Sequence, residues 1–215
     1  MLVGSVVASR TDQDVTKETT LQEGVDILFR HRQVCAELCE LFEVLERRLD
    51  HAHEDLTALP DVPLRVHARY SRIEILAGFG VGNGDLATVP SWQQGVRWVR
   101  EIPADLLAFT LDKTKGDFSP TTRYRDYAIS RELIHWESQS WTRADSDTGL
   151  RYQRHAERGS HVLLFARVSQ DDRAFFFLGP ATYASHASEQ PMGITWRLQH
   201  PLPGDLFQTL AAAVA

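Results

Sequence analysis

The sequence predicts an α+β fold, with an N-terminal helical segment followed by a small curled β-sheet or barrel with flanking helices. Three observations predict it. Leucine and phenylalanine recur at helical spacing up to about residue 59, Pro60 to Pro63 interrupt that run, and from Asp105 onward six short β-type segments alternate with Gly, Pro, Asp and Ser clusters.

Residues 1–16 show no apolar period and read as a flexible arm. From 17 to 60 the pattern is helical: Leu38, Leu41, Phe42, Leu45 and Leu49 recur at spacings of three and four, with acids on the other face. Two short helices or one bent one fit this segment, and residues 61–215 follow as one domain. Near its start Ser71-Arg-Ile-Glu74 matches a capping box, which predicts a helix over about Arg72 to Gly78. Gly80-Val-Gly-Asn-Gly84 follows helix and not strand, and no Lys-Ser or Lys-Thr comes after it, so a phosphate loop is not predicted. The expected strands are Leu106–Asp112, Ile134–Trp141, His161–Val168, Ala174–Leu178, Ala181–Ala184 and Ile194–Leu198. Alternation in the third puts Val162, Leu164 and Ala166 on one face and Leu163, Phe165 and Arg167 on the other.

The formal charge of −6 is unevenly placed: residues 1–60 hold 12 acids against 6 bases, and the remainder holds 17 of each. The acidity belongs to the helical front, so a nucleic-acid partner stays open for the neutral remainder, through a few placed cations and with a modest salt slope. No apolar run reaches the roughly 18 residues that a membrane helix needs, and residues 1–16 are too polar for a secretory core. A cytoplasmic location, with the nucleoid, is expected. Cys35 and Cys39 are the only cysteines and read as reduced thiols.

Enzyme signatures are missing from the sequence: no Walker A motif, no Gly-x-Ser-x-Gly elbow, no His-Glu-x-x-His and no Pro-Cys-x-x-Cys. His51-Ala-His53-Glu54 has the wrong spacing for one helix face and reads as a solvated helix end. No metal, cofactor or catalytic residue is expected. What stands out is Phe118-Ser-Pro-Thr-Thr-Arg-Tyr-Arg-Asp-Tyr127 followed by His135-Trp-Glu-Ser-Gln-Ser-Trp141, where aromatics alternate with hydrogen-bonding side chains and arginines. Such a mixture suits a nucleobase, because rings stack on its face while amides, hydroxyls and a carboxylate meet its edge. Composition equally allows Tyr124, Tyr127 and Trp136 to be half-buried sheet residues.

An ordered set of motifs bears on that choice: LRVHARYSRIEIL (Leu64–Leu76), FTLDK (Phe109–Lys113), FSPTTRYRDYAIS (Phe118–Ser130), HWESQS (His135–Ser140), TGLRY (Thr148–Tyr152), LLFAR (Leu163–Arg167), FLGP (Phe177–Pro180) and PMGITWRL (Pro191–Leu198). Together they resemble, over roughly Leu64 to Leu202, a domain family found at the C-terminus of prokaryotic helicases fused to phospholipase-D-like nucleases, as in restriction enzymes that attack methylated DNA. The resemblance implies a target-recognition domain of SRA/PUA-like architecture that holds a flipped, modified base. Helicase and nuclease are absent from these residues, so recognition is implied and cleavage is not.

On this reading the partner is double-stranded DNA carrying modified cytosine, 5-methylcytosine first. A separate nuclease is a candidate partner, and the N-terminal helices offer a homodimer surface. Tyr127 and Trp136, with Tyr124 and Trp141, are expected to stack on the base or shape its niche. Asp126 accepts from the cytosine amino group or, alternatively, makes a surface ion pair with Arg123 and Arg125, while Ser138 and Gln139 meet the remaining edge. Lys113, Lys115, Thr121, Thr122, Arg123, Arg125, Arg131, Arg151 and Arg154 are expected on the DNA backbone. Trp196 and Phe175 to Phe177 read as core, His135 as facing away from Trp136, and Tyr152 and His155 as either core or DNA-facing. The competing classes are an RNA-binding or protein-interaction module with a PUA-like pocket, and a modification-dependent nuclease.

Overall fold

In the computed structural model, which describes residues 21–81, 92, 94–112 and 126–213, the apolar segments of the second half join into one sheet. The chain divides into two units, Met1–Ala52 with Ser71–Gln93, and His53–Tyr70 with Gln94–Ala215.

The first unit is helical in its described part. Helices α1 (Leu21–Arg30) and α2 (Arg32–Glu46) are interrupted at His31, whose φ of −96° and ψ of 74° are not helical. The expected helix ran on toward Leu59, but α2 stops at Glu46. Beyond it the amides of Arg48 and Leu49 bond carbonyls only three residues back, the tightening that ends a helix. Helix α2 buries none of its side chains, and Val34, Leu41, Phe42 and Leu45 stand exposed along it. Cys35 and Cys39 are both free thiols. Helix α3 (Arg72–Gly78) begins as its capping box predicts, with the Glu74 amide donating to Ser71 Oγ at 3.3 Å and the Ser71 amide donating to Glu74 Oε2 at 2.8 Å. Residues 1–16 and 82–84, read above as an arm and part of a glycine-rich stretch, lie outside the described residues.

The second unit opens with β1 (Glu54–Asp55) and β2 (Arg65–Val66), which pair, and β3 (Arg69–Ser71). Glu54 thus sits in a strand and contacts His200, which corrects its reading as part of a solvated helix end. The main sheet contains β4 (Val96–Val99), β5 (Ala104–Thr110), β6 (Tyr127–Ala128), β7 (Leu133–Glu137), β8 (His161–Arg167), β9 (Ala174–Ala187) and β10 (Gly193–Leu198). Its order is β4-β5-β8-β9-β10-β7-β6, with β3 attached to β9. Within the run from β4 to β6 every neighbouring pair is antiparallel except β5 with β8, which run parallel from Ala104↔His161 to Thr110↔Arg167.

One face of this sheet carries the main core. Leu107, Phe109, Ile134, Trp136, Leu164, Ile194 and Trp196 meet Tyr152 of α4 (Asp147–Gln153) and Leu206 and Leu210 of α5 (Gly204–Ala212). Leu163 and Phe165 are buried on the opposite face, where Phe165 stacks on Phe177 at 4.6 Å between centroids. There the His53–Tyr70 segment lies along β9, with His67 donating its amide to Phe177 O and Ala68 O accepting from the Phe177 amide. Strand β9 bends at Gly179, whose φ of +98° only glycine adopts readily; a Cβ there would also come within 2.9 Å of Val66 Cγ1. Gly149 in α4 is equally constrained, because a Cβ would meet the Arg143 carbonyl oxygen at 2.1 Å.

Among the described residues the sheet is open and strongly curled, and no closed barrel forms. Gln94, just before edge strand β4, receives a hydrogen bond from Gln139, just after β7, at 3.5 Å. Five strand spacings would separate β4 from β7 by about 24 Å in a flat sheet. The curl therefore brings the two sides together at one end and encloses the core between them. No helix among the described residues is long and apolar enough to cross a membrane.

Candidate nucleic-acid interface

The end of the sheet where Gln94 and Gln139 meet is where most described site candidates gather, and β7 sets their directions. Its apolar Ile134 and Trp136 turn inward and its polar His135 and Glu137 turn outward, because a pleated strand shows alternate residues to alternate faces. On the outer face Tyr127 of β6 stacks on His135 with centroids 4.9 Å apart and an interplanar angle of 30°. Tyr127 is 37% exposed, with one ring face already occupied.

Trp136 does not reach a ligand-accessible surface. It is 4% exposed and meets the edge of Tyr152 at 5.7 Å, so the expectation that it stacks on a base gives way to a place in the core. Asp126 is buried, and its Oδ1 accepts from the Glu137 amide at 2.9 Å, which ties β6 to the end of β7. Ser138 is also buried. Its amide donates to Met192 O and its Oγ accepts from the Met192 amide, both at 2.9 Å, while its hydroxyl donates to Gln139 O at 3.3 Å. That hydroxyl is committed to joining β7 to β10, which corrects its expected role at a base edge.

Gln139 and Gln94 hold each other across the mouth of the curled sheet by a long hydrogen bond of 3.5 Å. Nothing in its local sequence singles out Gln94. Gln139 also opens a turn in which Thr142 N donates to Gln139 O at 2.8 Å, and the third residue of that turn, Trp141, is 64% exposed.

The cations divide in a way that the sequence does not reveal. Arg151 donates from Nε and Nη2 to the two carboxylate oxygens of Asp105 at 2.7 and 2.8 Å and lies 4.5 Å over the Trp98 ring. Its side chain is 22% exposed and the Asp105 side chain 0%, so Arg151 is a structural cation and not a phosphate contact. Burial pushes the Asp105 carboxyl up from its ordinary value, opposed by the Arg151 guanidinium. Arg131 is exposed, with Nε donating to Leu202 O, and Arg154 is exposed at the end of α4. Tyr124, Lys113, Lys115, Thr121, Thr122, Arg123 and Arg125 lie outside the described residues.

A second concavity, of about 200 Å³, is lined by His155, Ser160, His161, Pro180, Thr182 and Gln199 among others. His155 next to a serine imitates a catalytic dyad, but the hydrogen bonds do not make one. Ser160 Oγ donates to the His155 carbonyl, while the imidazole donates from Nδ1 to Ser160 O at 3.2 Å and accepts at Nε2 from the Tyr183 amide at 3.2 Å. Those partners require the neutral Nδ1–H tautomer. Burial holds His155 below the ordinary imidazole value, outweighing the Ser160 carbonyl, which acts the other way. Since the folded state binds this proton less readily than the unfolded chain, stability is full above the unfolded value near 6.5 and falls as pH drops below it. Chemical denaturation at pH 7.5 and 5.5 is expected to show that loss, and His155→Phe to be less stable at pH 7.5 with a shallower decline. An equal decline in the variant would assign the effect to another group. Among the described residues, no three His, Cys, Asp or Glu side chains are grouped to hold a metal ion.

Among solved structures, Arabidopsis thaliana SUVH6 in complex with SAM is similar at 14% identity and a TM-score of 0.35, over 94% of this chain and 36% of that one. The chain thus spans about a third of the length of SUVH6. No curated protein matches it significantly. A family model described as a domain of unknown function, DUF3427, matches residues 64–210, which takes in the main sheet, the mouth at Gln94 and Gln139, helices α3 and α4, and most of α5. With most of its length matched, the chain belongs to the DUF3427 family.

Proposed function

We propose that this chain is a DNA-binding protein that recognises modified cytosine, 5-methylcytosine first, by taking the turned-out base into the mouth of its curled sheet, and that it reads without cleaving. The observation that carries the proposal is the mouth itself: two hydrogen-bonding amides, Gln94 and Gln139, face each other at 3.5 Å, and the turn that Gln139 opens carries the exposed Trp141. An amide pair held by one long bond exchanges it for a ligand edge at little cost. The ordered resemblance to target-recognition domains of methylation-directed restriction proteins supports the same reading, and it suggests an SRA/PUA-like pocket and a nuclease partner. Tyr127 and Gln139 remain in the proposed site, with Asp126 as a wall positioned by the Glu137 amide. Arg131 and Arg154 are the described cations offered to the backbone, joined by the basic residues of 113–125. The exposed stripe on α2 supports self-association through that helix.

Burying one methyl group is worth about 0.8 kcal/mol, or about fourfold in affinity. A shaped niche that plain cytosine leaves void raises this to about 10–200-fold. Matched duplexes carrying cytosine, 5-methylcytosine, 5-hydroxymethylcytosine or N6-methyladenine, titrated by fluorescence anisotropy at fixed salt, test the proposal. The 5-methylcytosine duplex is expected to bind at least about fourfold more tightly than its unmodified twin and to remain intact with Mg²⁺ present. Equal affinities across the panel would remove the modified-base claim, and strand scission would turn the assignment to a nuclease.

A further inference from the structure

We propose that Trp141 is a wedge that enters the base stack of a bound duplex beside the turned-out base, an inference that rests on the DNA-reading proposal above. Exposure is the first observation. At 64% exposed, Trp141 leaves most of a large apolar ring in water, whereas Trp136 and Trp196 are buried. A single exposed apolar residue is unremarked when it sits on a mobile tip.

Trp141 does not sit on such a tip. Its turn is closed by the Thr142–Gln139 hydrogen bond at 2.8 Å, and both flanks are tied to the loop joining β9 and β10. Ser138 is clamped to Met192 by the reciprocal bonds described above, Gln190 Nε2 donates to Ser140 O at 3.2 Å, and the Ala144 amide donates to Glu189 O at 3.0 Å. Gln153 of α4 adds a bond to Ala144 O at 2.7 Å. A ring presented on so constrained a backbone loses little further freedom when it is sandwiched, so more of its stacking energy is retained in binding.

Position completes the inference. The turn starts at Gln139, which bridges the mouth, so the indole is two residues from the group that would meet the base edge. A base that leaves a duplex for that mouth opens a gap in the stack, and large apolar side chains can insert between base steps, as they do in proteins that kink DNA. Tyr127 is less suited, because His135 already covers one of its faces. Stacking between a base and an aromatic ring is sequence-tolerant, so a wedge adds affinity while the mouth supplies selectivity.

The 215-residue chain as wild type, Trp141→Ala and Trp141→Phe, each with thermal unfolding unchanged as expected for an exposed site, test this with the 5-methylcytosine duplex. Trp141→Ala is expected to weaken binding about tenfold, and Trp141→Phe, which keeps a flat ring, less than about threefold. Saturating duplex is expected to quench the part of the tryptophan emission that Trp141→Phe lacks. Affinity of Trp141→Ala within about twofold of wild type, equal losses in both variants, or unquenched Trp141 emission each overturns the wedge and leaves the reader proposal standing. Failure of wild type to bind any duplex removes the reader proposal, and the wedge with it.

Discussion

Asp105→Ala is expected to lower the unfolding free energy by about 3–5 kcal/mol, read as a shifted midpoint in urea with an unchanged slope. The carboxylate has no exposed surface, and it holds Arg151 through two hydrogen bonds of 2.7 and 2.8 Å while the guanidinium lies over Trp98. Truncation leaves a three-quarters-buried cation without its counter-charge, and α4 loses its attachment to β5. The exposed pair Arg143–Asp145 has almost the same geometry, at 2.9 and 3.1 Å, but water screens it. Asp145→Ala is therefore the control that should leave stability unchanged. Similar small losses in both variants would mean that burial does not distinguish the pairs, and the structural role given to Arg151 would fall.

Trp136→Ala is expected to cost a similar amount, about 3–5 kcal/mol, by opening a cavity in the main core. The ring touches Tyr152, which in turn meets Trp196 at 6.2 Å, so its removal loosens the contact between the sheet and α4. Calorimetry or denaturant titration measures the loss. The variant also separates packing from recognition. At a temperature where Trp136→Ala is still folded, its DNA affinity should match wild type within about threefold, because the ring is only 4% exposed. A well-folded variant that no longer binds would return Trp136 to the site.

These two residues mark where sequence reading stops. The alternation of β7 tells that Trp136 and His135 point opposite ways, but not which face is inside; the neighbouring Ile134 and the opposing Ile194 decide it. Arg151 is read as a free cation because its partner lies 46 residues away. Local signals did better where the physics is local. The Ser71–Glu74 capping box places α3 correctly, and alternation in β8 sorts Val162, Leu164 and Ala166 from Leu163 and Phe165. Strand β9 was expected as two strands, since Gly179-Pro180 resembles a turn. In the fold the same pair is a bend inside one strand of 14 residues. Helices α4 and α5 escaped detection because each is short, the first carries a central glycine, and the second begins directly after Pro203. As for the interface, the dense aromatic run ends close to the mouth, but its contributors divide into core, clamp and exposed groups only once the strands are paired.

The parallel pairing of β5 with β8 has a consequence for the order of events during folding. Antiparallel neighbours such as β9 and β10 need only a tight loop, whereas β8 reaches β5 after the chain has passed through β6, β7 and α4. Closing so long a loop is entropically slow, and its contacts are made late on the route to the native state. Gln139 and Trp141 lie in sequence between the two strands, so the mouth of the sheet is completed only when that loop closes. Changes there should be felt mainly as faster unfolding, with the rate of folding little altered.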